Sequence, residues 1–200
     1  MSRIESLVRA IRGSVAPGGM TSRIIAIDGL GGAGKSTLAE TLSTALAASS
    51  RLTTSPQLVA MPIVHTDDFA SWDVPIDWWP RLVEQILVPL SDNHVATYQR
   101  YDWVERRLAE WRHVAPAEFL ILEGVSSSRQ AFRPYLSYTI WVETPREVRL
   151  RRGLERDGAD ALPLWESWMA EEDEYVRLEH PAENADLVID GTVPDSWGPT

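Results

Sequence analysis

Apolar residues follow two kinds of pattern along this chain. Five short runs, 23–28, 61–65, 119–124, 138–142 and 185–190, are almost continuously apolar. Runs of that length, rich in β-branched residues, predict strands buried on both faces of a parallel sheet. Elsewhere apolar residues recur every three or four positions, which predicts helices. Ile4, Leu7, Val8 and Ile11 make one such face, opened by a Ser2–Glu5 capping box and ended at Gly13. Leu38, Leu42, Ala45 and Leu46 make a second; Val83, Ile86, Leu87 and Leu90 make a third, closed by Pro89. Thr144-Pro145-Arg146-Glu147 predicts another capping box with Pro145 in the first helical position, and Val148, Leu150 and Leu154 would anchor that helix. Trp165, Trp168, Met169, Glu172 and Val176 trace a further face. Residues 49–56 read as a polar connection, 95–103 as an extended excursion or hairpin, 158–163 as a loop, and the chain end as a Pro/Gly tail.

Strands alternating with helices predict an α/β fold: a mostly parallel five-stranded sheet with helices on both faces and right-handed crossovers. Two hundred residues fit one domain over 1–200, with 1–20 as an N-terminal helix and loop.

Between the first strand and the second helix stands Gly29-Leu30-Gly31-Gly32-Ala33-Gly34-Lys35-Ser36. This is the spacing of a phosphate-cradling P-loop, in the strand–turn–helix context that the motif requires. Its glycines let successive N–H groups converge into an anion-binding nest, and the helix N-terminus adds partial positive charge. Gly29, Gly31, Gly32, Ala33, Gly34, Lys35, Ser36 and Thr37 are the expected nucleotide-binding set. Lys35 would reach the outer phosphates and the Ser36 hydroxyl would ligate Mg²⁺. Lys35 is also the only lysine, the other 18 basic residues being arginine. A slim ammonium fits between phosphates where a planar fork does not. The expected cofactors are therefore ATP and Mg²⁺, on a P-loop NTPase fold.

Composition narrows the partners. A net charge of -10 and a pI near 4.9 argue against a nucleic-acid surface. The absence of cysteine excludes disulfides, thiolate metal sites and a Cys nucleophile. No run approaches the length of a membrane span and no signal-peptide core opens the chain, so a cytoplasmic protein is expected, without membrane or nucleic-acid partners. A homo-oligomer stays open.

Phosphoryl transfer needs a metal, a group to orient the acceptor and cations for the moving charge. Glu123, at a strand end, is a candidate Mg²⁺ holder; capping of the next turn is its structural alternative. Asp67 or Asp68, just past the second strand, can take a proton from an acceptor hydroxyl, and alternation points only one of them into the cleft. Arg149, Arg152 and Arg156 share a helix face and form a candidate lid over the phosphates, within residues 145–163. Tyr101 and Trp103 flank an acid on an expected cleft loop and are candidates to stack on a flat substrate. The remaining tryptophans read mainly as packing, and His65 as a strand-end hydrogen bonder.

These residues resemble the uridine kinase and phosphoribulokinase group of P-loop kinases, over most of 23–190. Asp67-Asp68-Phe69-Ala70 looks like that family's Asp-Ser-Phe-Tyr segment, whose first acid is the catalytic base; this implies Asp67. Asp73, near Pro75, is similar to the acid that holds ribose hydroxyls. Tyr101-Asp102-Trp103 looks like the base-contacting segment, with Arg106 near its basic partner. Glu123-Gly124 matches the family's Glu-Gly, and Arg149-Leu150, Arg152 and Arg156-Asp157 resemble its lid. The resemblance implies a small-molecule kinase with a nucleoside 5′-hydroxyl, uridine or cytidine, as leading acceptor; Asp67, Lys35, Arg152 and Arg156 would be catalytic, and Asp73, Tyr101, Trp103 and Arg106 would bind substrate. The chain departs from the family in the short 67–73 segment, the abundant tryptophans and Arg in place of His at 106. A sugar or a vitamin-precursor alcohol stays open as acceptor, as does an ATP-binding regulatory module without kinase activity. A guanine switch would need an Asn-Lys-x-Asp motif, which a single P-loop lysine cannot supply. A nucleoside-monophosphate kinase would need more acceptor-side arginines than Arg100, Arg106 and Arg107 offer.

Overall fold

The computed structural model describes residues 2–49, 60–71, 74 and 77–193. The predicted loop at 49–56 and the tail lie almost wholly outside these residues, and so does Asp73. All five predicted strands form one sheet: β1 (Arg23–Gly29), β2 (Ile63–His65), β5 (Phe119–Glu123), β6 (Leu136–Glu143) and β7 (Leu187–Asp190). Its order is β2-β5-β1-β6-β7, and every pairing is parallel. The extended excursion is an antiparallel hairpin, β3 (Ala96–Asp102) with β4 (Arg107–Val114), which forms a separate two-stranded sheet.

Side-chain alternation divides the core in two. On β1, Ile25 and Ile27 face one cluster and Ile24 and Ala26 the other; on β5, Phe119 and Ile121 oppose Leu120 and Leu122 in the same way. The first cluster is covered by α1 (Arg3–Gly13) and α2 (Lys35–Ser49), which supply Ile4, Leu7, Ile11, Leu38, Leu42 and Leu46. The second is covered by the helical stretch α3 (Trp79–Leu82), a π-turn (Val83–Leu87) and α4 (Val88–Ser91), together with the hairpin. Burying each such Ile or Leu is worth about 1.5–3 kcal/mol, so both faces are committed. The central strands β1 and β5 read as unbroken apolar runs because neither of their faces meets water.

Local details depart from expectation in four places. The Ser2–Glu5 capping box forms, but the one at Thr144 does not. Pro145 is the cap residue ahead of α5 (Arg146–Asp157), and the Thr144 hydroxyl instead donates to the Ala33 carbonyl. Tertiary contact with the P-loop outcompetes the local cap. Pro89 does not close its helix, which runs on to Ser91; the π-turn just upstream loosens the ladder that proline cannot join. The residues of α5 that are fully buried are Arg149 and Gly153, whereas Val148, Leu150 and Leu154 are only half-buried. Pro163 belongs to the first turn of α6 (Leu162–Glu179), not to a loop. Among the described residues, no helix is long and apolar enough to cross a membrane.

Candidate active site

The P-loop turns between β1 and α2 at the carboxyl edge of the sheet, where α/β folds bind ligands. Gly32 and Gly34 have φ of 77° and 100°, which side chains rarely adopt. A Cβ on Gly32 would stand 2.6 Å from the Arg149 carbonyl, so the arginine-bearing helix rests directly on the loop. Lys35 is buried, with Nζ donating to the Leu30 carbonyl at 3.0 Å across the loop.

A cavity of about 770 Å³ opens over this loop, within the usual range for a small-molecule site. Gly31, Gly32, Gly34, Lys35, Ser36 and Thr37 line one end, and Thr66, Asp67, Glu123, Ser126 and four tryptophans line the rest. Arg152 and Arg156 reach it from α5.

Glu123 and Ser36 meet: the Ser36 hydroxyl donates to Oε1 at 3.2 Å, and His65 Nδ1 lies 2.7 Å from Oε2. Burial alone would raise the Glu123 pKa, but the His65 hydrogen bond and the Lys35 charge bring it below its usual value, so it is held ionised. The same hydrogen bond raises the pKa of His65. Two hard oxygen donors side by side fit Mg²⁺.

The adjacent acids part company. Asp68 is buried, accepting from the Tyr98 hydroxyl at 2.7 Å and pairing with Arg112 at 3.3 Å. Asp67 opens into the cavity. It is accessible there yet walled by dense protein, and that burial raises its pKa against the opposing pull of Lys35. Trp103 lies alongside, its indole N–H donating to the Asp67 carbonyl at 3.1 Å.

The arginine face divides as well. Arg149 is buried against Glu172 of α6 at 3.0 Å, and Glu172 Oε1 accepts the Gly31 N–H at 2.7 Å. That pair rivets α5 and α6 to the P-loop. Arg152 donates to the Gly32 and Gly191 carbonyls at 3.3 and 3.0 Å. Arg156 pairs with Asp157 at 2.7 Å over the Trp165 ring, and that pairing raises its pKa.

The structure thus brings together Lys35, Ser36, Thr37, Asp67, Trp103, Glu123, Arg152 and Arg156. It does not place Tyr101 or Arg106 on the cavity. Tyr101 is buried edge-to-face on Trp103 at 5.3 Å, and Arg106 is an exposed hairpin-turn residue with φ of 51°. Sequence reasoning missed Trp165 and Trp168, which pack edge-to-face at 6.4 Å along the cavity wall; their i, i+3 spacing with Glu172 one turn on was the available signal. It also missed Asp28. That wholly buried carboxylate accepts from Gly29 N, Ser126 N, Ser128 N, Ser128 Oγ and the Tyr175 hydroxyl, at 2.6–3.0 Å. Nothing in a strand-end Asp separates that role from solvent exposure.

Uridine kinases from two Klebsiella pneumoniae strains are each 28% identical to the chain over 127 residues, and the match covers 60% of the chain. The chain spans about 60% of the length of these curated relatives. A protein described as a possible uridine kinase from Bacillus stearothermophilus superposes with a TM-score of 0.68 at 23% identity, covering 94% of this chain and 97% of the other. The chain is thus similar to uridine kinases at low identity and shares a P-loop kinase fold with these structures. A proposed fructose transport system kinase from Silicibacter sp. TM1040 shares the same P-loop kinase fold, with a TM-score of 0.62 at 17% identity over 94% of this chain and 99% of that one. No family model matches the chain.

Proposed function

We propose that this P-loop kinase fold transfers the γ-phosphoryl group of ATP to a hydroxyl of a small molecule. The observation that carries the reading is that Asp67 opens into the same cavity as Lys35, Ser36 and Glu123. Asp67 orients the acceptor hydroxyl and receives its proton as the oxygen bonds to the γ-phosphorus. The bond from that phosphorus to the β,γ-bridging oxygen breaks, and ADP leaves with that oxygen. The P-loop amides and Lys35 hold the phosphates, and Arg152 and Arg156, on a lid within 145–163, neutralise the developing charge. Ser36 and Glu123 would hold Mg²⁺, which when bound screens the phosphate charges. Among acceptors, a nucleoside 5′-hydroxyl comes first, on the likeness to uridine kinases. Trp103, flat and beside Asp67, is the residue to stack on its ring. In the proposed family arrangement Asp73 holds its ribose. Small molecules, not nucleic acid or membranes, are the partners proposed for this acidic chain, acting in the cytoplasm.

The test is ADP release with ATP and Mg²⁺ across nucleosides, sugars and vitamin-precursor alcohols. Acceptor-dependent release that is lost in Asp67→Asn, with ATP affinity retained, supports the reading. Slow ATP hydrolysis indifferent to every acceptor would make the chain a nucleotide-binding module instead.

A further inference from the structure

One buried carboxylate joins the start of the P-loop to two walls of the cavity, and the transfer chemistry makes no use of it. Asp28 stands in β1 directly before Gly29 and is wholly buried. Its two oxygens divide their donors. Oδ1 accepts Gly29 N at 2.7 Å and Ser126 N at 3.0 Å. Oδ2 accepts Ser128 N at 2.8 Å and the Ser128 and Tyr175 hydroxyls at 2.6 Å each. Each oxygen thus faces a main-chain N–H, which can only donate. A side-chain amide in its place would set N–H against N–H whichever way it turned.

The donating segments are the ones that the cavity needs in register. Val125 and Ser126, in the loop after β5, line it from one side, and Trp165 and Trp168 line it from α6. Tyr175 follows Glu172 by about one turn of α6, on the same face. Glu172 accepts the Gly31 N–H, while Tyr175 packs with Leu30 and Trp141 and its hydroxyl reaches Asp28. The β5 loop is bent as well as held: Ser126 has φ of 62°, a strained value for a residue with a side chain, and its N–H is the one that Asp28 receives. A buried carboxylate is costly and a poor stabiliser, and the best-attested use of such a group is to fix how segments sit against one another.

We propose that Asp28 is a positioning residue for the transfer: it holds the β5 loop and α6 in fixed register with the P-loop, so that an acceptor bound between them presents its hydroxyl to the γ-phosphorus. Asp28 does not itself line the cavity; it acts through Ser126 and through Tyr175. The proposal rests on the phosphotransferase reading above and adds the device that aligns its two binding ends.

The test compares Tyr175→Phe and Ser128→Ala, each of which removes one hydroxyl from Asp28, with Asp186→Asn as a structural control. Asp186 accepts Thr139 N and Oγ1 at 2.7 and 2.8 Å just ahead of β7, at the sheet edge away from the P-loop. The full chain is assayed with ATP, Mg²⁺ and uridine, or the alcohol that best drives ADP release in the screen above. Tyr175→Phe and Ser128→Ala should each raise the acceptor KM about 3–10-fold and increase the share of ATP lost to water, with ATP affinity unchanged. Asp186→Asn should lower the melting temperature and leave both quantities as they are. An unmoved KM and share in the two hydroxyl variants, or the same movement in Asp186→Asn, overturns the proposal. Hydrogen exchange supplies a reading that needs no acceptor. In Tyr175→Phe the amides of 125–128, on the far side of Asp28, should exchange faster together with those of 164–172, and those of 30–36 should not. Faster exchange confined to the turn around Tyr175 overturns the link. Absence of transfer to any alcohol, with exchange spreading as stated, sinks the kinase reading and leaves the register set by Asp28 standing.

Discussion

Eight consecutive residues, 29–36, build the P-loop end of the cavity, whereas its other end draws on several separate segments. The first end is backbone. It depends on glycine geometry, a helix start and one ammonium, all contiguous in the chain. The second end is side chains. Asp67 comes from the turn after β2, Trp103 from the hairpin, Ser126 from the loop after β5, and Trp165 and Trp168 from α6. The phosphate end therefore tolerates divergence elsewhere, while the acceptor end changes whenever one of those segments is repacked. That matches a chain whose fold lies close to uridine kinases at low identity. Arg149 and Glu172 link the two ends, holding α5 and α6 against the P-loop.

The most forceful way to break this contrast is to exchange the roles of the neighbouring acids. Asp67→Asn should lower kcat by about 10²–10⁴-fold with little change in ATP affinity. Asp68→Asn should instead lower the melting temperature, because it disturbs the Tyr98 and Arg112 contacts. The opposite outcome would move the base to Asp68. Next in size, Glu172→Ala should destabilise the fold by about 3–5 kcal/mol in urea titration, since Arg149 would be left buried without its partner. A loss near zero would mean that the rivet between the two ends is idle. Gly153→Ala should cost about 1–3 kcal/mol, because its Cβ would stand 2.3 Å from the Trp165 ring in the tight α5–α6 seam. The smallest effect expected is from Trp103→Phe, which removes the hydrogen bond to the Asp67 carbonyl and is worth about 1 kcal/mol in kcat/KM.

pH sharpens the same comparison. Burial raises the folded pKa of Asp67, and a base must be ionised to act, so kcat/KM should fall as pH drops through that raised value. The acid limb should lie above the ordinary aspartate range of about 3.9 and vanish from the residual rate of Asp67→Asn. For stability the sign is the reverse: a carboxyl with raised folded pKa favours the folded state when protonated, so its destabilising effect grows as pH rises.

Much of the fold was legible without coordinates. Each of the five strands is a short apolar run, the central β1 and β5 cannot face water on either side, and the P-loop carries its geometry in its own residues. Legibility failed where a local preference met a tertiary competitor. The Thr144 hydroxyl was expected at a helix cap and went to the P-loop carbonyl of Ala33. Arg149 was expected on a lid face over the phosphates and was drawn into a buried pair with Glu172. Of the substrate-side residues suggested by resemblance, Trp103 stands at the cavity, Tyr101 packs behind it, and Arg106 sits on the hairpin turn. A one-residue shift in a hairpin redirects a side chain to the other face, and sequence similarity across an altered loop does not fix that register.

By itself the sequence determined the sheet, its helical cover and the phosphate cradle, because each rests on short-range periodicity or on backbone freedom encoded residue by residue. Only the tertiary structure decided which of two adjacent carboxylates faces the cavity, which tryptophans wall it, and that Asp28 is buried among five hydrogen-bond donors. Those outcomes depend on distant segments meeting, and the burial and charge of a side chain are properties of what it meets.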